Sequence, residues 1–402
     1  MVISCNQLLI AIFVVFAVIL IIYFLYTLFS ISESREEMIN IDQINDVSWT
    51  RNTCPYAMNE TLTKVLDNNK LKYENKEQGE WKLYFPCSYD NIEEEINEIK
   101  LLDSNDQRFF IINNADFLIG KDYLWSYILN YHGIEKAQTL MPMTYILYID
   151  SEIEKIKNEF DTQKLYILKK NIQRQEGLKI TNSLQEILDA KNEQYVVAQE
   201  LLQDPYLIDG RKINMRFYIL VICKDNDMDV YIFNNGFMYY TKDLFKKNTI
   251  DFGPNITTGY VDRWIYDVNP LTHEDFKIYL DNEDRNISQN ERILKDQGHK
   301  LSEIMFTRIN ILLREIFVSF IGKICGGKLK DYISFQLFGA DIAIDENLYP
   351  KIMEINKGPD MGAKDDRDGM IKYKCMEDML QIIGALPKNH DNGFIKILDY
   401  EK

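Results

Sequence analysis

Residues 338–361 read FGADIAIDENLYPKIMEINKGPDM, and this stretch constrains the fold more tightly than any other. Two runs that alternate apolar and polar side chains, 332–344 and 351–356, flank a polar turn at 345–350. Such alternation marks paired strands with one face in a core. In a register symmetric about the turn, Asp341 stands opposite Glu354, and Asn356 lies two residues on along the same face. The other face carries Ala340, Ile342, Ile344, Met353 and Ile355, a core-like set. Carboxylates directly opposed across strands repel, and burial raises the cost. A divalent cation removes both penalties, and two carboxylates with an amide oxygen are hard ligands of the kind that suit Mg2+. The same acids on a solvent-facing sheet edge would need no ligand, so the hairpin alone leaves both readings open.

The rest of the chain supplies a sheet for that hairpin to join. Strand patterns recur at 166–170, 178–181, 195–201, 213–224 and 230–234, with a short one at 108–112. Helical spacing appears at 90–101, 183–191, 301–324 and 370–386. The expected class is α+β with a largely antiparallel sheet. A hydrophobic content of 46% over 402 residues gives a sizeable core. The net charge of −16 offers no basic face for phosphate backbones, so no nucleic-acid partner is expected. The six cysteines stand at 5, 54, 87, 223, 325 and 375, with no C-x-x-C pair and no histidine cluster beside them. That pattern predicts neither a zinc site nor a disulfide framework, but reduced thiols.

Residues 8–29 (LLIAIFVVFAVILIIYFLYTLF) carry no charge. As a helix those 22 residues would run about 33 Å, enough to cross a bilayer. The seven residues before them hold no Lys or Arg, and no small-residue cleavage step comes after, which favours an uncleaved anchor over a signal peptide. The expectation is a single-pass membrane protein. Arg35 is the only basic residue near the run, and it favours a cytosolic side for the C-terminal part of the chain. The expected divisions are an anchor at 1–31, a linker and the start of a first lobe at 32–80, the first lobe at 81–160, a catalytic region at 161–386 and a tail at 387–402.

Further motifs appear in chain order: ILKK (167–170), RQEGLKI (174–180), VVAQELL (196–202), LIDGRKINMRFYILV (207–221), NGFMYY (235–240) and NITT (255–258). GADI (339–342), DENLYP (345–350) and EIN (354–356) complete the series. Together with WKLYFPCSYDNIEEEI (81–96) and MPMTYIL (141–147), they resemble the tubulin tyrosine ligase-like family of ATP-grasp ligases, over residues 81–386. No P-loop and no G-x-G-x-x-G competes for the nucleotide.

The resemblance implies an ATP-grasp fold of mainly antiparallel sheets behind one transmembrane helix, with ATP and Mg2+ as cofactors. It assigns the metal to Asp341, Glu354 and Asn356, and the phosphates to Lys169 and Arg174. Gln199, Glu200, Leu201 and Leu202 would line the adenine, and Lys212 and Asn214 would join the nucleotide site. Lys212, Arg216 and Thr257 would form the catalytic set. The implied reaction activates a carboxylate as an acyl phosphate, which an amine then attacks to form a peptide or isopeptide bond. The implied partners are an amino acid and a protein or peptide acceptor. With a net charge of −16, no docking face for an acidic tubulin tail is visible, so the acceptor stays open between tubulin and another polypeptide. Lys357, Lys364 and Arg367 are candidates to meet it.

The chain departs from the family pattern at Asn214, an acid in the family, and at Tyr239, an arginine there. It departs again at Asn255 and Thr258, a histidine and an asparagine there. These departures leave two alternatives on the same fold, a nucleotide-binding pseudoenzyme and a membrane-anchored interaction protein. ATP use also predicts that the sequons at Asn59, Asn255 and Asn286 are bare.

Overall fold

The computed structural model describes residues 41–399 apart from 55–56, 76–79, 89–90, 103–105, 173–176, 258–262 and 297. Residues from Gln43 onward form one compact unit. Its strands, in chain order, are β1 (Ser48–Arg51), β2 (Lys72–Tyr73), β3 (Leu83–Phe85), β4 (Arg108–Phe109), β5 (Thr144–Ile146), β6 (Tyr166–Lys169) and β7 (Leu178–Thr181). Beyond them come β8 (Val197–Glu200), β9 (Leu207–Ile208), β10 (Arg211–Lys224), β11 (Asp227–Tyr240), β12 (Ile333–Ile344), β13 (Pro350–Lys357) and β14 (Phe394–Leu398).

Two sheets result. The larger runs β14-β11-β10-β12-β4-β3-β1-β2, with β13 on β12 and β9 on β10. The smaller is β5-β8-β6-β7, antiparallel throughout. The long strands β10 to β13 pair antiparallel, as the alternating pattern predicts. The other end of the larger sheet differs, because β1, β2, β3, β4 and β12 pair parallel where they meet. These strands are only two to four residues long apart from β12, too short for any periodicity to declare them. The helix Leu301–Val318 buries Met305, Ile309, Leu312, Leu313 and Ile316 in the main core.

The hairpin pairs Asp341 with Glu354, but not through a symmetric register. Near the turn the ladder runs Ile344 to Pro350, Ala343 to Lys351 and Ile342 to Ile352, one residue out of phase with that pair. A bulge at Met353 absorbs the difference. Ile352 therefore takes the core position expected for Met353, while Met353 turns toward the side that carries Glu354. The turn is pinned by Asp345, whose Oδ1 accepts from the Asn347 and Tyr349 amides at 2.9 Å each.

Residues 8–29 lie outside the described residues. Among the described residues no helix is long and apolar enough to cross a membrane. The longest, Lys121–Leu140, carries Lys121, Asp122, Glu135 and Lys136 and breaks at Gly133, where φ is 74°. The single-pass membrane localisation expected from the sequence is corrected on this finding.

The expectation of reduced thiols throughout is corrected too. Cys223 at the end of β10 and Cys325 form a disulfide across 102 residues, with Cα atoms 5.1 Å apart. No local spacing signals such a pair, because the fold brings the two together. Closing so long a loop restricts the unfolded chain strongly. Cys325→Ser is expected to lower the unfolding free energy by about 2–4 kcal/mol. Urea titration with and without reductant checks this, and non-reducing peptide mapping should recover the 223–325 pair.

Candidate active site

The two sheets face each other across a cleft. The small sheet contributes Ile167, Lys169, Leu178 and, just past β8, Leu201. The large sheet contributes Lys212, Asn214, Asp341, Met353 and Glu354, and the segment Asn255–Thr257 closes one side. Seven of the residues predicted from sequence thus meet in one place: Lys169, Leu201, Lys212, Asn214, Thr257, Asp341 and Glu354.

Strand alternation explains the basic edge. Lys212, Asn214 and Arg216 share one face of β10, and β12 lays Asp341 directly opposite Arg216. Arg216 grips Asp341 with two bonds, Nε to Oδ1 at 2.6 Å and a terminal nitrogen to Oδ2 at 3.0 Å. The Tyr239 ring lies 5.2 Å from the guanidinium and supports its cationic face. Arg216 is thus turned onto a carboxylate, with the Tyr239 ring against it.

The acids are under electrostatic load. Burial pushes the Asp341 carboxyl up to about 6, with Arg216 pulling down and Glu354 pushing further up. Burial also raises Glu354, but Lys121 and Lys169 outweigh it and hold the group below its ordinary value. Asn356 donates to Glu354 Oε1 at 3.1 Å, which orients that carboxylate. Lys169 and Lys212, 5% and 3% exposed, are both lowered to about 8 by burial. Lys169 donates to Gln199 Oε1 at 2.7 Å and reaches the carbonyl of the bulged Met353 at 3.4 Å. The Nζ of Lys212 has no hydrogen-bond or ion-pair partner among the described residues, and Lys169 lowers its pKa further. Two buried ammonium groups this close form a socket for an anion.

The remaining predicted residues lie around the cleft or away from it. Gln199 is fully buried behind the cleft, donating to Thr144 Oγ1 at 2.9 Å while it holds Lys169. Glu200 turns away to Lys164, at 2.7 Å. The Glu200 and Leu201 amides are bound to the Met143 and Leu165 carbonyls, and Leu202 is half-buried just beyond. Arg174 and Thr258 lie outside the described residues. Lys357, Lys364 and Arg367 are each engaged by a carboxylate, of Asp116, Asp360 and Asp275 respectively.

The sequence reading missed Lys121. It opens the helix Lys121–Leu140, and its charge acts on Glu354 and Lys169. Its amide donates to Asn171 and its Nζ to the Ile172 carbonyl, which ties the end of the small sheet to the site. A lysine at a helix start carries no signal of its own. Asn255 is 2% exposed. Its Nδ2 donates to the Thr249 and Asp251 carbonyls at 2.7 and 2.9 Å, so its Oδ1 is left as an acceptor. That Oδ1 and the Asn214 Oδ1 have no partner among the described residues.

The arrangement fits a magnesium-bound polyphosphate. The opposed carboxylates could hold a cation, the paired lysines an anion, and the hydrophobic slot at Ile167, Leu178, Leu201 and Ile256 an apolar group.

Comparison with known proteins agrees. The model of the tubulin-tyrosine ligase family matches residues 100–392. The chain belongs to that family, which is part of the ATP-grasp superfamily. Its similar relatives include a probable beta-tubulin polyglutamylase of Tetrahymena thermophila, 26% identical over 61% of this chain and 21% of the relative. A probable tubulin polyglutamylase of Rattus norvegicus is 28% identical over 46% of this chain and 38% of its own. A tubulin monoglutamylase of Mus musculus is 25% identical over 69% and 24% respectively. The chain thus spans between about a fifth and two fifths of the length of these relatives.

The geometry makes two measurements informative. An anion between Lys169 and Lys212 favours their charged forms and raises both pKa values from about 8. Nucleotide binding near pH 8.5 should therefore take up protons, seen as a binding enthalpy that changes with the ionisation enthalpy of the buffer. A buffer-independent enthalpy would count against the socket. Asn255 should carry no glycan in mass mapping of the protein from eukaryotic cells, because its amide nitrogen is buried and already bonded twice.

Proposed function

We propose that this chain is an ATP-dependent carboxylate–amine ligase that joins an amino acid to a protein or peptide acceptor. One observation carries the reading: the cleft between the two sheets gathers opposed carboxylates on one wall and buried, under-neutralised lysines from both. Asp341, Glu354 and Asn356 would hold Mg2+, which supplies neutralisation of phosphate charge. Lys169, Lys212 and Lys121 bind and orient the polyphosphate. Arg216 fixes the Asp341 carboxylate, and Gln199 fixes Lys169. A substrate carboxylate attacks the terminal phosphorus and ADP leaves. The incoming amine then displaces phosphate and gives up a proton as the amide forms. No side-chain nucleophile is required. The relatives' names supply tubulin as the acceptor and glutamate as the amino acid by analogy, and the acceptor here stays open between tubulin and another polypeptide.

Mg-ATP titration of the full chain tests the nucleotide half. Asp341→Ala and Glu354→Ala should each weaken binding of the metal–nucleotide pair by tenfold or more, at roughly 1.4 kcal/mol per decade. Phosphate release that requires both an amino acid and an acidic peptide tests ligation. Each substitution should lower it by about 100-fold or more. Tight Mg-ATP binding with no such release would identify a nucleotide-binding protein without ligase activity, with Tyr239 as the first suspect.

A further inference from the structure

Three segments that lie apart in the sequence meet beside the cleft, and the ligase reading has used only one of them. They are the start of the helix Lys121–Leu140, Tyr148 just beyond β5, and the pair Asn171 and Ile172 just beyond β6.

Asp122 is the centre of this junction. It is 4% exposed, and a buried carboxylate is costly unless its oxygens find donors. Here both do. Oδ1 accepts from Asn171 Nδ2 at 2.8 Å, and Oδ2 accepts from the Tyr148 hydroxyl at 2.6 Å. Asn171 uses its other end as well, since its Oδ1 accepts from the Lys121 amide at 3.0 Å. The helix Lys121–Leu140 follows Gly120 and has no side-chain cap of its own. The first amides of a helix are orphan donors, and Asn171 satisfies this one from a different sheet. One asparagine side chain thus holds two consecutive residues of the helix. Lys121 Nζ closes the junction by donating to the Ile172 carbonyl at 3.3 Å.

The junction also bridges the two walls of the cleft. β6 belongs to the small sheet and carries Lys169 two residues before Asn171. The helix Lys121–Leu140 packs against β13 of the large sheet, which carries Glu354. Burial raises Glu354, and the two lysines that outweigh it, Lys121 and Lys169, reach it from the two sides of this junction. Like charges so placed repel each other, and Lys121 lowers the pKa of Lys169 in addition to the larger effect of burial. Two peptide steps and one hydrogen bond connect Lys169 to Lys121 and keep them in one arrangement.

We infer that Asn171 is a positioning residue for the phosphate end of the site: it fixes Lys121 against Lys169 and, through Asp122, ties the small sheet to the helix that rests on β13. It acts through Lys121 and not on the nucleotide itself. The inference rests on the nucleotide half of the ligase reading, in which both lysines bind the polyphosphate. Cations already held in place need no reorganisation when an anion arrives. Releasing them therefore costs binding. Asn171 is exposed, so truncating it opens no cavity and should move the melting temperature little.

The test titrates Mg-ATP into the full chain by calorimetry, with melting temperature read on each variant. Asn171→Ala should weaken binding about tenfold. In a chain that already carries Lys121→Met, the same substitution should change affinity less than twofold, because the group it positions is gone. Asn171→Asp sets two carboxylates face to face and should weaken binding at least as much as alanine does. Adding Asp122→Asn to it exchanges donor and acceptor across the pair, and should restore affinity to within about threefold of the wild type. A purely structural role predicts neither the dependence on Lys121 nor this recovery. Unchanged affinity in Asn171→Ala, equal losses with and without Lys121→Met, or no recovery in the exchanged pair overturns the positioning role and leaves the ligase reading standing. A wild-type chain that binds no Mg-ATP overturns the nucleotide reading, and the positioning role with it.

Discussion

The bidentate clamp of Arg216 on Asp341 is the interaction on which the rest of the site depends. It joins β10 to β12 on the face that lines the cleft. Without it a carboxylate 8% exposed would face another carboxylate across the hairpin with only weak compensation. The arginine makes the opposed pair tolerable in the free protein, while burial and Glu354 still raise the Asp341 pKa to about 6. A site that is only partly compensated retains a thermodynamic preference for a cation. The same logic applies with opposite sign to Lys169 and Lys212, which burial pushes toward neutrality and which an anion restores.

Most of this site could be read from the sequence because it lies on strands. Alternation fixes which residues share a face, so K-x-N-x-R on β10 and D-x(12)-E across the hairpin place their side chains with little further information. What alternation cannot carry is a break in itself. The bulge at Met353 keeps Asp341 opposite Glu354 while exchanging the roles of Ile352 and Met353. A bulge adds one residue without changing composition, so the symmetric register gives the right pair for the wrong reason. The bulge also has a use: it turns the Met353 carbonyl toward Lys169, giving that buried ammonium a second acceptor.

The features that the sequence did not disclose arise from contacts between distant segments. Lys121 acts on Glu354 across 233 positions (354 minus 121), and Cys223 meets Cys325 across 102. Neither has a local pattern. The parallel wing of β1 to β4 escapes for a different reason, since strands of two to four residues show no period. The apolar run at 8–29 is a different case, since it lies outside the described residues. Hydrophobicity over one window is a strong local signal, and among the described residues no helix is long and apolar enough to cross a membrane.

The net charge of −16 looks ill-suited to a protein that would handle ATP and an acidic acceptor, yet the positive charge is concentrated where it acts. Lys121, Lys169 and Lys212 converge on one cleft, with Arg216 paired to Asp341 beside them. In water a charge reaches about a Debye length, near 8 Å at physiological salt. The distant surface acids are therefore screened from a buried socket, whereas cations a few ångströms apart inside it reinforce one another. An acidic exterior then penalises non-specific anion binding and leaves the cleft as the place where an anion gains most. In the proposed reading, selectivity for anionic substrates comes from this contrast between cleft and surface, and β12, buried along its whole length, is the rigid strand that carries Asp341 into the cleft.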